Sequence, residues 1–360
     1  EGNIANAENF MILPILAAAF LVWKYLEKNS IVLLFLAGLL LGTSFLFKVV
    51  AVFDFGAFFL FIFFVQYKNF KNILKQIIPL FLFGISFTIP IFATLFFFYS
   101  QGILKIALQS MFFSNIGYVG WGNTFIIPQG LLIVKLFILA AFSLIIFLKR
   151  KKLSLTNIFI PLWFAFSLFS AYFSQRPYTH YVLVLLSSSC LLLGLCFIAK
   201  KLQLLLSTIA IIIFAFIFVT FELYNNLPRS FYTYYANFVS YIVGQKSTQE
   251  YYAFFDKVTP RDYTLADFIN LHKRSGDQIF VWGNSGQVYK LTNTLPIGKY
   301  IVAYHITSTP QIFDSEKALL EKTRPRFVII LPNQSDIPFS LRGYKALFFI
   351  ENASIYAKVF

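Results

Sequence analysis

Apolar positions in the first 221 residues follow neither the two-residue period of a strand nor the one-sided stripe of a surface helix. They run together in blocks, separated by short groups of lysines, near residues 10–23, 31–47, 50–65, 76–98, 130–148, 158–174, 181–199 and 202–221. A hydrocarbon core of roughly 30 Å takes about 20 helical residues to cross, somewhat fewer when the ends are anchored. The blocks therefore predict eight spans, and helical ones, because the strands of a membrane barrel alternate polar and apolar side chains. The second and third blocks are short and meet near Lys48, so a re-entrant hairpin is the alternative to two spans there.

Beyond residue 221 the pattern changes. Residues 222–360 carry 15 basic and 11 acidic side chains and no block long enough to span. An aromatic stretch at 230–256 comes first, then predicted helices near 263–274, 285–292 and 311–323. Interleaved with them are predicted strands at Gln278–Trp282, Tyr300–His305, Phe327–Leu331, Leu347–Glu351 and Ser354–Val359. Short strands alternating with helices predict a small α/β sandwich. The expected fold class is thus a polytopic α-helical membrane protein, residues 1–221, with a small α/β extracytoplasmic domain, residues 222–360.

Composition sharpens this. The chain is 58% hydrophobic and only 12% charged, with a mean hydropathy of +0.72, whereas soluble domains run near one quarter charged; a soluble fold for the whole chain is excluded. The net charge of +15 invites a nucleic-acid partner, but the cations of residues 1–221 lie between apolar blocks, where membrane topology expects them. No nucleic-acid partner is expected. One set of connections holds Lys24, Lys28, Lys68, Lys71, Lys75, Lys149, Arg150, Lys151, Lys152, Lys200 and Lys201, and the alternate set holds Lys48, Lys105 and Arg176. The positive-inside rule puts the rich set in the cytoplasm. The expectation is a multi-pass protein of the plasma membrane with both chain ends outside.

Cys190 and Cys196 share one apolar block and read as buried small residues, with neither a disulfide nor a metal site. The chain starts at Glu1, without an initiator Met or a signal-peptide pattern, and reads as a fragment of a longer protein.

A charge on the sparsely charged side needs a reason, because a basic residue at the bilayer core costs about 2.5–3.5 kcal/mol. Arg176 opens the seventh block within Ser174-Gln175-Arg176-Pro177-Tyr178-Thr179-His180-Tyr181. Its fork suits a lipid-linked phosphate or pyrophosphate, with an interface anchor as the alternative. His180 reads either as a donor to the same anion or as a structural histidine. Lys48 emerges among apolar residues, where it offers a point charge to a phosphate, or snorkels, or pairs with Asp54, its nearest acid in sequence. Lys135, about five residues into the fifth block, reads as a snorkelling lysine. Glu8 is suited to orienting a sugar hydroxyl or a base, or to complementing a helix dipole. Residues 99–129 combine an amphipathic stretch with the run Gly117-Tyr118-Val119-Gly120-Trp121-Gly122. Tyr118 and Trp121 read there as interfacial anchors or as part of a substrate-gating loop. The sequence holds no HExxH, paired CxxC, Walker loop or GxSxG pattern. No cofactor is predicted, and a divalent metal stays open.

Several of these segments together resemble the dolichyl-phosphate-mannose protein mannosyltransferase-like family, glycosyltransferase family 39 of the type-C superfamily, which includes the bacterial aminoarabinose transferase of lipid A. The likeness is carried by Ala5-Asn6-Ala7-Glu8, by Ala37-Gly38-Leu39-Leu40-Leu41-Gly42 followed by Lys48, and by Arg176-Pro177-Tyr178-Thr179-His180-Tyr181. In the tail it rests on Val281-Trp282-Gly283 with Val288-Tyr289, and on Arg324-Pro325-Arg326-Phe327-Val328-Ile329-Ile330. The resemblance implies an inverting enzyme that moves a sugar from a polyprenyl-phosphate donor to a glycan, lipid or protein acceptor on the outer face. It also implies that the main catalytic acid lies in an external loop before this chain, that Glu8 matches a second acidic position, and that Lys48, Arg176 and His180 face the donor phosphate. A lipid-linked sugar flippase and an O-antigen ligase-like enzyme are the alternative functions. Polyprenyl-phosphate sugar, acceptor and membrane lipids are the expected partners.

Overall fold

A computed structural model of the chain describes residues 6–67, 73–113, 126–174, 178–198, 231–308, 310–332, 337 and 340–359. Two compact units divide the chain, Glu1–Leu227 and Pro228–Phe360.

The first unit is helical. In order come α1 (Ala7–Lys28), α2 (Ile31–Phe47), a 3₁₀ turn (Val49–Ala51), α3 (Val52–Gln66), α4 (Ile73–Ser100) and α5 (Leu104–Met111). Then follow α6 (Gly130–Lys149), α7 (Leu155–Ala171), a 3₁₀ segment (Thr179–Leu185) and α8 (Leu186–Ile198). Among the described residues, four helical stretches are long and apolar enough to cross a membrane: Ala7–Lys28, Val49–Gln66, Ile77–Ser100 and Gly130–Lys152. Ile31–Phe47, Leu155–Ala171 and His180–Leu195 are shorter apolar helices. The predicted span at 202–221 lies outside the described residues.

Local sequence explains the boundaries. Asn29 closes α1 in the left-handed conformation (φ 51°), its N–H donating to the Tyr25 carbonyl at 2.7 Å, as helix C-termini favour. Lys48 stops α2 by turning extended (φ −157°, ψ 129°). The block predicted at 181–199 begins as 3₁₀ helix; β-branched Val182 and Val184 weaken its α-helical preference.

Packing of α2 against α1 and α4 builds one side of the core, which buries Met11, Leu34, Leu41 and Phe83. Gly38 and Gly42, one turn apart, allow close contact with α4. A Cβ on Gly38 would lie 2.7 Å from the Phe83 carbonyl oxygen, and one on Gly42 would lie 2.2 Å from that of Phe87. Small residues at this spacing let helix backbones approach in apolar surroundings. Aromatic contacts join α3 to α7: Phe58 and Phe61 lie 5.3 and 4.7 Å from Phe159, and Phe58 packs edge-on to Trp163 at 5.1 Å. The outward faces are apolar as well, with Phe81, Phe92, Phe96 and Phe137 all exposed.

Two expectations are corrected here. Cys190 is exposed rather than buried, because Leu186, Cys190 and Leu193 share the outward face of α8. Lys135 does not simply snorkel: its ammonium donates at 2.6 Å to the carbonyl of Tyr172, the residue that caps α7. Helix ends leave such carbonyls without intrahelical partners.

The second unit starts with two helices, α9 (Phe231–Ile242) and α10 (Thr248–Ala253), where an aromatic stretch was predicted. Ser247 and Glu250 form a capping box at the start of α10. Next come α11 (Thr259–His272), β1 (Ile279–Trp282), α12 (Gln287–Leu291), α13 (Ala303–Ile306), α14 (Pro310–Thr323), β2 (Phe327–Ile330), β3 (Tyr344–Ile350) and β4 (Ala353–Lys358). The sheet order is β1-β2-β4-β3, with β1 and β2 parallel and the other pairs antiparallel. Every residue of β1 is buried. Ile279 and Val281 join Leu265, Ile269 and Val288 from α11 and α12 on one face, while Phe280 and Trp282 join Ala303, Ile306 and Leu320 from α13 and α14 on the other. Helices on both faces make continuous apolar runs of these strands. Tyr300–His305, predicted as a strand, forms bends and α13 instead. Its backbone donors are taken by the loop after β1: Ala303 N–H donates to the Gly283 carbonyl at 2.8 Å and Tyr304 N–H to Asn284 Oδ1 at 3.0 Å.

Candidate functional site

Antiparallel packing of α1 on α2 brings the start of one helix to the end of the other, and both ends carry a charge. Glu8 stands in the first turn of α1, where the helix dipole favours an acid. Lys48 stands at the point where α2 stops. The Lys48 ammonium donates to Glu8 Oε1, forming an ion pair in which the Glu8 side chain is 2% exposed and that of Lys48 25%. The same ammonium sits 3.9 Å from the centre of the Tyr181 ring, a cation–π arrangement that strengthens as water is excluded.

These three residues line a cavity of about 400 Å³. Its walls are mostly apolar and come from the end of α2 (Phe45–Phe47), from α4 (Ile91, Leu95) and from Met111 and Phe112 at the end of α5. Thr94, Ser170 and Ser174 add hydroxyls. The Thr94 hydroxyl donates to the Pro90 carbonyl at 2.9 Å, whereas the Ser170 hydroxyl is buried with no hydrogen-bond partner among the described residues. An apolar cavity with a few convergent polar groups is the usual form of a small-molecule site.

Asp54, the nearest possible partner of Lys48 in sequence, is turned elsewhere. It is buried in α3, and its Oδ1 accepts a 2.7 Å hydrogen bond from Trp163 Nε1 on α7. The 3₁₀ turn after Lys48 rotates the chain so that Asp54 faces α7 while Lys48 faces α1. His180 stacks on Tyr178 at 5.5 Å and meets Tyr181 edge-on at 4.7 Å. It is one ring removed from the ammonium and is not part of the cavity wall. Arg176, Tyr118 and Trp121 lie outside the described residues.

The structure therefore brings together Glu8, Lys48 and the aromatic group that includes His180. Tyr181, Thr94, Ser170 and Ser174 were not singled out as site residues from sequence. Tyr181 carried a signal, since it ends the Arg176–Tyr181 motif. Ser174 stood at the start of the segment around Arg176, whereas Thr94 and Ser170 carried no signal, because single Ser and Thr residues inside apolar helices are common ways of bonding to the preceding turn.

Chemically, the described residues of the cavity offer one cation and one anion in low-polarity surroundings, where each acts more strongly than in water. Lys48 has three donors, so it can serve an incoming anion while it keeps Glu8. Glu8 accepts hydrogen bonds from hydroxyls as readily as from the ammonium. The chain matches no protein-family model, no curated protein and no solved structure.

Proposed function

We propose that the chain is part of a polytopic membrane glycosyltransferase that takes a sugar from a polyprenyl-phosphate donor and passes it to a glycan, lipid or protein acceptor outside the cytoplasm. The observation that carries this reading is the Lys48 ammonium, paired with Glu8 and seated over Tyr181, in an apolar cavity at one end of helices able to cross a membrane. A lipid phosphate presents the complementary combination, an apolar tail and an anionic head.

The orientation follows from the charge pattern: Lys24 and Lys28 end the first span on the lysine-rich side, and Glu8 and Lys48 lie at its other end. With the rich side cytoplasmic, the cavity opens outside. In the reaction, the acceptor hydroxyl oxygen attacks the anomeric carbon, the bond from that carbon to the phosphate oxygen breaks, and the polyprenyl phosphate leaves with its electron pair. The acceptor proton passes to a carboxylate base. Lys48 stabilises the charge developing on the leaving phosphate, joined by Arg176. Glu8 holds Lys48 in place and accepts a hydrogen bond from a sugar hydroxyl.

The test is turnover by the full-length protein in lipid vesicles, supplied with a panel of radiolabelled polyprenyl-phosphate sugars and with glycan, lipid and protein acceptors. Label transfer that falls at least tenfold in Lys48→Met supports the reading. No transfer from any donor, together with no donor binding, sinks it.

A further inference from the structure

Helix α9 presents its apolar side outward. Tyr232, Tyr235, Phe238, Val239 and Ile242 fall on one face, Val243 continues it in the turn just past the helix end, and all six are exposed. The opposite face is the packed one and holds a buried polar residue: Asn237 is 2% exposed, donates to the Tyr251 carbonyl at 3.3 Å and accepts from the Lys246 ammonium at 2.7 Å. Beside it, Tyr241 stacks on Tyr251 at 4.5 Å and Tyr234 meets Phe255 at 5.9 Å. A water-facing helix has the reverse pattern. The packing among the described residues uses the inner face of α9, and a contiguous exposed patch of this kind on the other side marks a contact surface.

What covers the patch follows from where α9 sits in the chain. Nine residues, 222–230, separate α9 from the apolar run at 202–221. They reach at most about 30 Å even when fully extended, roughly one hydrocarbon thickness. A span at 202–221, which belongs to the membrane reading above, therefore tethers α9 within reach of the bilayer surface. The residues on the outward face also match that depth. Tyrosine, with an apolar ring and a polar tip, is enriched at membrane–water boundaries, and Val239, Ile242 and Val243 supply the aliphatic side of an in-plane helix.

We propose that the outward face of α9 lies in the headgroup–acyl boundary of the bilayer, as an in-plane anchor that holds the second unit at the membrane surface. The ligand is a lipid surface, and the anchoring residues are Tyr232, Tyr235, Phe238, Val239, Ile242 and Val243.

The test uses the full chain in phosphatidylcholine–phosphatidylglycerol vesicles, in a Cys190→Ser/Cys196→Ser background. Single cysteines at Val239, Ile242, Gln249 and Phe92 carry an environment-sensitive fluorophore. At Val239 and Ile242 the label should lose most of its emission to a nitroxide placed shallow in the acyl chains and little to aqueous iodide. At Gln249, on exposed α10, the order should reverse. Iodide quenching at Val239 and Ile242 equal to that at Gln249 overturns the proposal, and so does protection from both quenchers, which means that protein covers the face. Phe92, exposed on α4, separates this inference from the one beneath it: if Phe92 is quenched by lipid and α9 is not, only the anchor fails, whereas an unquenched Phe92 removes the membrane reading as well. As a second measurement, Val239→Glu/Ile242→Glu should move a label at Tyr235 from lipid to aqueous quenching without unfolding the unit, because both positions are already exposed.

Discussion

The ammonium of Lys48 and the carboxylate of Glu8 are bound to each other across 40 residues of sequence, at the meeting of the start of α1 with the end of α2. The two sides of the pair differ in their access to water, since Glu8 is 2% exposed and Lys48 25%. Removing Lys48 strands a buried carboxylate. Removing Glu8 leaves a lysine that can turn its head outward.

Lys48→Met should therefore destabilise the first unit by about 3 kcal/mol, the low end for breaking a buried pair, and Glu8→Gln by less than half as much. The double variant should recover much of the loss. Thermal unfolding in one fixed detergent measures all three, and an equal cost for the two single changes would contradict the asymmetric burial. Donor binding should be lost in Lys48→Met and weakened to a smaller degree in Glu8→Gln, which keeps a hydrogen-bond acceptor but no longer pairs with the ammonium.

Asp54 and Trp163 join α3 to α7 by one hydrogen bond from the indole to Oδ1, with Oδ2 lacking a partner among the described residues. Asp54→Asn keeps an acceptor for the indole and should leave the melting temperature nearly unchanged. Asp54→Leu strands the indole N–H and should cost about 1–3 kcal/mol. Indole fluorescence should shift in the Leu variant alone.

Gly42 and Gly84 should respond in opposite ways. A side chain at Gly42 runs into the Phe87 carbonyl oxygen, whereas one at Gly84 meets nothing within 4 Å. Gly42→Val should force α2 from α4 and cost about 3 kcal/mol, at the upper end for overpacking. Gly84→Ala should stabilise the unit by about 0.5–1 kcal/mol, the usual gain for replacing glycine inside a helix. Melting temperatures of the two variants in one detergent check both signs.

In the second unit the Tyr289 hydroxyl accepts a 2.9 Å hydrogen bond from the Val281 N–H of β1. Burial pushes its pKa from 10.0 to about 12. A pKa raised on folding means that the stabilisation is fully present below the unfolded value. It is then lost as pH rises from about 10 through about 12, by roughly 3 kcal/mol in total. Hydrogen exchange of β1 and α11 amides should accelerate over that window, beyond the intrinsic effect of hydroxide. Tyr289→Phe should flatten this pH dependence, at a cost of about 1–3 kcal/mol at neutral pH from the unpaired Val281 N–H.

Much of this molecule was legible from the order of its residues, wherever the cause is local. Apolar blocks became helices α1 to α4 and α6 to α8, because an uninterrupted apolar run favours the one conformation that satisfies its own backbone. The strands at Ile279–Trp282 and Phe327–Ile330 were readable for a similar reason, as short apolar runs bounded by polar turns. Which residues meet was decided by tertiary structure alone. Lys48 lies six residues from Asp54 and 40 from Glu8, yet the 3₁₀ turn and the pairing of α1 with α2 give it the distant partner. Tyr300–His305 looks like a strand by composition, but the loop after β1 takes its N–H groups and bends it into α13. The outward apolar face of α9 was likewise hidden, since periodicity gives a helix two sides and only the packing of Asn237 and Tyr241 selects the inner one. Sequence sets the conformations open to each segment, and contacts between distant segments select among them, because a side chain's partner depends on how the helices are arranged in space.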